Sequence, residues 1–220
     1  MTMENRERCQ ILVLGTGVAG LAAALAAAEE GAEVLLACRA EDPAVTNTAW
    51  AQGGIIYRGA DDSPELLARD ILTAGADYGL PEAAHFLAER GPLVVKEWLI
   101  DRLGVPFARN GDGSLHLALE GAHSLPRILH VADRTGAAIE GALLDQVRAH
   151  PGIRIAAGYQ AVDVLTTHHH SRRAVDRNPL KNRSIGIKWH DARMSLLEGI
   201  FSRGGEETGG LIEKAFRLGC

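Results

Sequence analysis

The sequence predicts an α/β fold: a Rossmann-type domain on a parallel sheet. Two observations predict it. The stretch QILVLGTGVAGL, residues 10–21, sets four apolar residues before a glycine-rich turn and an Ala-rich run, which is the order strand, turn, helix. A second short apolar run at 33–37 then completes a βαβ unit.

The elements follow in order. Residues 11–14 form a continuous apolar run, as expected of a central parallel strand. Residues 15–20 are the turn, and 21–30 a helix rich in Ala, with Gly31 where a C-terminal cap belongs. The second strand is 33–37. Residues 40–62 read as loop, with Asp42-Pro43, Gly53-Gly54 and Asp61-Asp62. Ser63 is an N-cap followed by Pro64 at the first helical position, and that helix is expected to reach about Tyr78. Segments 81–90 and 92–103, each opened by a proline, read as two further helices. Asn110-Gly111-Asp112-Gly113 is a turn between short strands. A helix is expected over 133–150, ending before Pro151-Gly152, and short strands over 153–157 and 161–165. The character changes after Thr167. Residues 168–183 hold five Lys or Arg, three His and one Asp and read as a loop or junction. Short helices are expected over 195–201 and 210–218, around Gly204-Gly205. No internal repeat is visible.

At 220 residues the chain can form one or two domains with a sizeable core. Hydrophobic residues at 46% and charged residues at 23% place it among ordinary globular proteins. A net charge of −5 argues against nucleic acid or an anionic membrane as partner. Cys9, Cys38 and Cys220 are widely spaced, without CxxC, zinc spacing or a disulfide framework, which fits a reducing cytoplasm. Residues 11–28 are nearly all apolar. Three glycines interrupt them, acidic residues flank them, and no basic n-region or cleavage site accompanies them, so a leader or membrane span is not expected.

Gly15-Thr16-Gly17-Val18-Ala19-Gly20 fits G-x-G-x-x-G in the context that gives the motif meaning, after a strand and at the start of a helix. The first glycine permits the tight turn, the second lets backbone approach a pyrophosphate, and the third lets helix and strand pack closely. The helix N-terminus faces the negative charge. The acidic residue that usually ends the second strand and binds ribose is replaced by Cys38-Arg39, with Glu41 and Asp42 slightly late. Arg39 suits either the extra phosphate of NADP or the adenine end of a flavin dinucleotide.

Asn47-Thr48-Ala49-Trp50-Ala51-Gln52-Gly53-Gly54-Ile55 narrows the choice. Together with GTGVAGL it resembles the flavoprotein family of L-aspartate oxidases, succinate dehydrogenases and fumarate reductases. The likeness continues through ILTAGADYGL, the stretch from VVKEWLIDRLGV to DRTGAAIEGAL, and AVDVLTT. It covers residues 8–172 and is nearest the L-aspartate oxidase branch. The resemblance implies noncovalent FAD as cofactor, because no counterpart of the flavin-linking His of the quinone-linked members stands near Ala49 to Gly53. It implies flavin contacts at Gly15, Thr16, Gly17, Val18, Ala19, Gly20 and Arg39, and at Asn47, Thr48, Ala49, Trp50, Ala51, Gln52, Gly53 and Gly54. Glycines at 53 and 54 let amides approach the flavin edge where a side chain would clash.

The same resemblance assigns Glu120, in Leu119-Glu120-Gly121-Ala122-His123-Ser124, to orienting the substrate. L-Aspartate differs from succinate by an ammonium group, and a carboxylate facing it discriminates strongly. Read from spacing alone, Glu120 is a solvated loop residue. The implied reaction is oxidation of L-aspartate to iminoaspartate, the first step of bacterial NAD synthesis, with oxygen or fumarate as electron acceptor. The alternatives are a succinate or fumarate dehydrogenase of the same fold and a non-catalytic fragment. His123 is placed near the flavin without a defined role. His116, His123 and His130 recur every seven residues, a spacing that suits no metal site, and 168–170 is a His run in a solvated loop. Arg127 is open between docking the nucleotide or a flap and an ordinary surface or helix N-terminal position.

The relatives are more than twice this length, and the Arg that acts as proton acceptor in them has no counterpart here. Neither does the late ATGG-type strand and turn. An incomplete domain over 1–172 with little or no turnover is therefore the expectation. Residues 188–199 and the IEKAFRLGC terminus resemble a fragment of a radical S-adenosylmethionine family without its cysteine triplet. Residues 173–220 are accordingly expected to be an unrelated tail.

Overall fold

A computed structural model of the chain describes residues 8–166, 184–191, 214–215 and 217–218. The chain divides into two compact units: residues 1–46 with 144–220, and residues 47–143.

In the first unit, β1 (Arg8–Cys9) and β2 (Ile11–Leu14) lead into α1 (Val18–Glu29) and β3 (Val34–Cys38). The strand at Ile153–Ala157, numbered below as β6, joins them in a parallel sheet of order β2-β3-β6. The register runs from Ile11 beside Val34 to Leu14 beside Ala37, and from Val34 beside Ile153 to Cys38 beside Ala157. The expected βαβ unit is present. Its first strand is not central, however: among the described residues β2 lies at the sheet edge and β3 in the middle. All five residues of β3 are buried, while Ile11 and Leu14 are 38% and 50% exposed. Both strands are continuous apolar runs, and such a run does not encode its place in a sheet. Under the sheet, Leu21, Ala24, Leu25 and Ala28 of α1 are buried. The helix ends at Gly31, whose φ of +88° is the left-handed conformation a C-terminal cap needs.

The second unit opens with β4 (Ile55–Ile56), a short strand inside the segment expected to be loop, followed by α2 (Pro64–Ala74). The Ser63 hydroxyl accepts from the Leu66 amide at 3.2 Å, the cap its sequence predicts. The helix stops four residues before Tyr78. Gly75 caps it, and Ala76 and Asp77 take φ values of +48° and +60°, with the Asp77 amide returning to Leu72 O at 2.9 Å. That closing turn ends the helix.

Pro92 does not divide two helices as expected. α3 (Pro81–Val94) passes through it and continues directly as a π-helical segment, Val95–Arg102. A proline inside a helix leaves the carbonyl four residues back without its amide partner. Here that carbonyl, on Ala88, accepts from Arg58 Nη2 at 3.0 Å. The widened turn begins just beyond the proline, as is common where the regular ladder is broken. Ala84 and Ala88 of α3 are buried with Leu67 and Ala68 of α2.

The turn at 110–113 lies between Arg109 and Leu115, which bridge antiparallel. β5 (Ile128–Leu129) pairs antiparallel with β4 and bridges to Ala118. α4 (Thr135–Ala149) begins two residues later than expected, and the division between the units falls within it. Beyond it come β6 (Ile153–Ala157) and β7 (Tyr159–Thr166). β7 pairs antiparallel with β8 (Ser184–Asp191), and β8 with β9 (Lys214–Ala215), while β10 (Arg217–Leu218) pairs parallel with β1. The helix expected over 210–218 is thus replaced by strand wherever that stretch is described. Pairing with strands distant in sequence overrides a local helical preference. The expected helix at 195–201, the His run at 168–170 and the loop at 168–183 lie outside the described residues.

Candidate functional site

In the first unit the turn after β2 is shaped by backbone contacts. Gly15 has φ +99°, a conformation that favours glycine, with open space where a side chain would stand. A Cβ on Gly20 would lie 1.9 Å from the Gly15 carbonyl oxygen, so strand and helix approach as closely as only glycine allows. Gly17 is the N-cap of α1. It supplies no side-chain cap, and the first helical turn carries no acidic residue. A helix start without a side-chain cap or an acidic residue suits a diphosphate. Thr16 is buried, and its hydroxyl donates to Pro43 O at 2.7 Å, which fixes the turn to the loop after β3. Val18 is exposed on the same turn, at 42%.

Arg39 is exposed immediately after buried Cys38. Burial pushes the Cys38 thiol pKa up, so it stays protonated and unreactive at neutral pH. Asp42 accepts from the Ala44 amide at 3.0 Å and closes its own local turn.

In the second unit, residues 47–54 form an open loop. The Ala51 amide returns to Thr48 O at 3.1 Å, and the Gly136 amide donates to Ala51 O at 3.0 Å. A Cβ on Gly136 would stand 1.9 Å from Thr48 O. The first turn of α4 therefore supports the loop through a glycine that sequence reading had not singled out. Its signal was present in the Thr135-Gly136 pair at the helix start. The two adjacent glycines have different surroundings. A Cβ on Gly54 would fall 2.1 Å from Ile128 Cγ2, whereas Gly53 has nothing within 4 Å. Packing against β5 demands Gly54, while Gly53 borders open space. Trp50 is 78% exposed, and Ala51 and Gln52 are exposed beside it.

The loop carrying Glu120 is held by a buried ionic cluster. Arg127 is fully buried, so the surface alternative for it does not hold. Its Nε and Nη2 donate to the two carboxylate oxygens of Asp62 at 2.8 and 2.7 Å, and its Nη1 donates to Asp70 Oδ2. Asp70 Oδ2 also accepts from the Ser124 amide at 2.9 Å and the Ser124 hydroxyl at 2.8 Å. Burial alone would push the Asp70 carboxyl up. The Ser124 amide, Arg127 and the Ser124 hydroxyl outweigh it and hold the pKa at about 2. The Arg127 guanidinium, despite the opposing effect of burial, is shifted up by Asp62 and Asp70. Arg127 Nη1 is also 3.1 Å from His123 Nδ1. Glu120 and His123 close a tight turn, His123 N donating to Glu120 O at 3.2 Å, with Ala122 at φ +68°. Glu120 is exposed and His123 half-buried.

The three regularly spaced histidines separate. His116 Nδ1 and His130 Nε2 are 2.9 Å apart with rings edge-on, and His123 belongs to the Arg127 cluster. Among the described residues no group of three or more His, Cys, Asp or Glu is placed to hold a metal ion. No helix among them is long and apolar enough to cross a membrane.

A family model described as FAD binding domain matches residues 10–197. The chain belongs to that family. Its cofactor is FAD, and the glycine-lined turn at 15–20, which opens a helix without a side-chain cap, fits the pyrophosphate of that group. L-Aspartate oxidase of Halobacterium salinarum is 44% identical over 178 residues, covering 80% of this chain and 34% of that protein. L-Aspartate oxidase of Pseudomonas aeruginosa is 33% identical over 237 residues, covering 99% of this chain and 43% of that protein. The chain thus spans about a third to two fifths of the length of these relatives. A solved quinol fumarate reductase from E. coli shares the fold, with a TM-score of 0.72 at 23% identity over 84% of this chain and 30% of that one.

Proposed function

We propose that the chain is the FAD-binding part of an L-aspartate oxidase, acting in the oxidation of L-aspartate to iminoaspartate at the start of NAD synthesis. The observation that carries this reading is the glycine turn at 15–20, opening a helix without a side-chain cap, in a chain that is 44% identical to an L-aspartate oxidase and carries an exposed Glu120. Gly15, Thr16, Gly17, Val18, Ala19 and Gly20 bind the pyrophosphate through backbone amides, and Arg39 the adenine end. Residues 47–54 border the ring, with Gly53 giving the close approach and Trp50 covering exposed flavin surface. FAD, when bound without a covalent link, supplies the hydride acceptor. Glu120 faces the substrate ammonium. Oxygen or fumarate is the electron acceptor and a reducing cytoplasm the setting, which suits Cys9 and Cys38, neither of them in a disulfide.

Incubation with FAD, desalting and a visible spectrum tests cofactor binding; a colourless protein overturns it. Replacing Glu120 by Gln tests the substrate: L-aspartate binding should fall while succinate binding holds. An unchanged preference favours a succinate- or fumarate-linked flavoprotein instead. For chain organisation the proposal is a family portion through about residue 172 followed by a separate tail. Limited proteolysis between 167 and 183 should then release a stable amino-terminal piece. Retention of both pieces together, as the β7–β8 pairing would favour, overturns it.

A further inference from the structure

The loop at 47–54 is gripped at both ends by backbone from elsewhere in the second unit. At its far end a Cβ on Gly54 would fall 2.1 Å from Ile128 Cγ2 and 2.3 Å from Leu129 O. At its near end the grip comes from α4. The Gly136 amide donates to Ala51 O at 3.0 Å, and the Ala51 amide returns to Thr48 O at 3.1 Å. A Cβ on Gly136 would lie 1.9 Å from Thr48 O and 2.8 Å from both the oxygen and the Cβ of Ala51. Backbone atoms cannot swing aside as the end of a flexible side chain can, so the approach requires glycine. The start of α4 is itself fixed: Thr135 is buried, and its hydroxyl accepts from the Val131 amide at 2.9 Å. Between the two grips Trp50, Ala51, Gln52 and Gly53 are exposed. A segment held in place before its ligand arrives binds at a smaller ordering cost. A second glycine of the same helix, Gly141, has nothing within 4 Å, so the close approach belongs to Gly136 and not to α4 in general.

We propose that Gly136 is a positioning residue for the flavin half of FAD. It holds the turn at 48–51, and with it the exposed segment at 50–53, where the ring requires them. The proposal rests on the reading above that residues 47–54 border the ring, and it adds a residue outside that loop which sets the loop's place. On the same reading the diphosphate is held by the turn at 15–20, so its binding does not depend on Gly136.

Calorimetric titration of the full chain with FAD and with ADP, which carries the diphosphate but no flavin, tests this. Gly136→Ala should weaken FAD about tenfold and leave ADP within about twofold. Gly141→Ala makes the same substitution in the same helix where space is open, and both affinities should hold. If Gly136→Ala weakens FAD and ADP equally, the glycine is only structural and the proposal falls. If it weakens neither, the loop does not depend on it and the proposal falls too. Should Gly136→Ala not fold, Thr135→Val decides. Losing the hydroxyl loosens the start of α4, so FAD should weaken about threefold with ADP held, and Thr135→Ser should restore it. An unchanged ratio of FAD to ADP affinity in Thr135→Val overturns the proposal. Gly53→Ala separates this proposal from the reading beneath it. If Gly53→Ala weakens FAD while Gly136→Ala does not, the ring reading survives and this proposal does not. If neither changes the ratio of FAD to ADP affinity, the loop does not border the ring and both fall. An unaltered chain that binds neither ligand has the same consequence.

Discussion

The turn at 15–20 and the turn at 120–123, the two proposed to meet a ligand, are held by opposite means. The first is shaped by absent side chains: Gly20 sits where any Cβ would strike the Gly15 carbonyl, and Gly15 takes a left-handed φ. The second is held by side chains that are fully committed, with Arg127 buried between Asp62 and Asp70 and Asp70 fastened to Ser124. A backbone-shaped site tolerates no addition, and a charge-clamped one tolerates no removal.

The largest test of that contrast is Arg127→Met. Two buried carboxylates would lose their shared cation, and stranding a buried charge costs about 3–5 kcal/mol. Chemical denaturation should show that loss. A change below about 1 kcal/mol would mean the cluster is well solvated. Next is Gly20→Ala. The added methyl meets backbone rather than a flexible side chain, so the strand and helix must part, at about 1–3 kcal/mol, and the desalted protein should lose its flavin colour. Unchanged FAD retention would show that the cradle does not need the close packing.

The acid limb sharpens the comparison further. Asp70 has a folded-state pKa of about 2 against an ordinary 3.8. A depressed carboxylate pKa contributes stability above the unfolded value and loses it as pH falls toward the folded one. About 2 kcal/mol should therefore disappear between roughly pH 4 and pH 2, and Asp70→Asn should flatten that part of the stability profile. The smallest stability effect belongs to Gly53→Ala. With open space around that position the melting temperature should hold within about 0.5 kcal/mol equivalent, while FAD affinity falls about tenfold. Gly54→Ala, which collides with Ile128 and Leu129, should destabilise the protein even without FAD.

The two regions also differ in how far they could be read in advance. G-x-G-x-x-G is contiguous, so its function as a turn follows from local sterics. The cap at Ser63 and the βαβ unit were legible for the same reason. Arg127 stands 57 and 65 residues from its carboxylates, and no spacing rule connects them. Its burial, and its contact with His123, appear only when α2, its preceding loop and β5 are packed together. Pro92 is the converse case. A local rule predicted a break, and a distant side chain, Arg58, satisfied the carbonyl that the proline left unpaired.

Sequence alone determined the α/β class, the glycine cradle and the flavin family, because short-range sterics and helix electrostatics act between neighbours along the chain. Tertiary structure alone decided that β2 lies at an edge, that Gly54 serves packing while Gly53 borders open space, and that Glu120 rides on a buried ion cluster. Those outcomes depend on which distant groups share a desolvated volume. There an unpaired charge or a misplaced methyl is costly, and the chain's order carries no record of the partner.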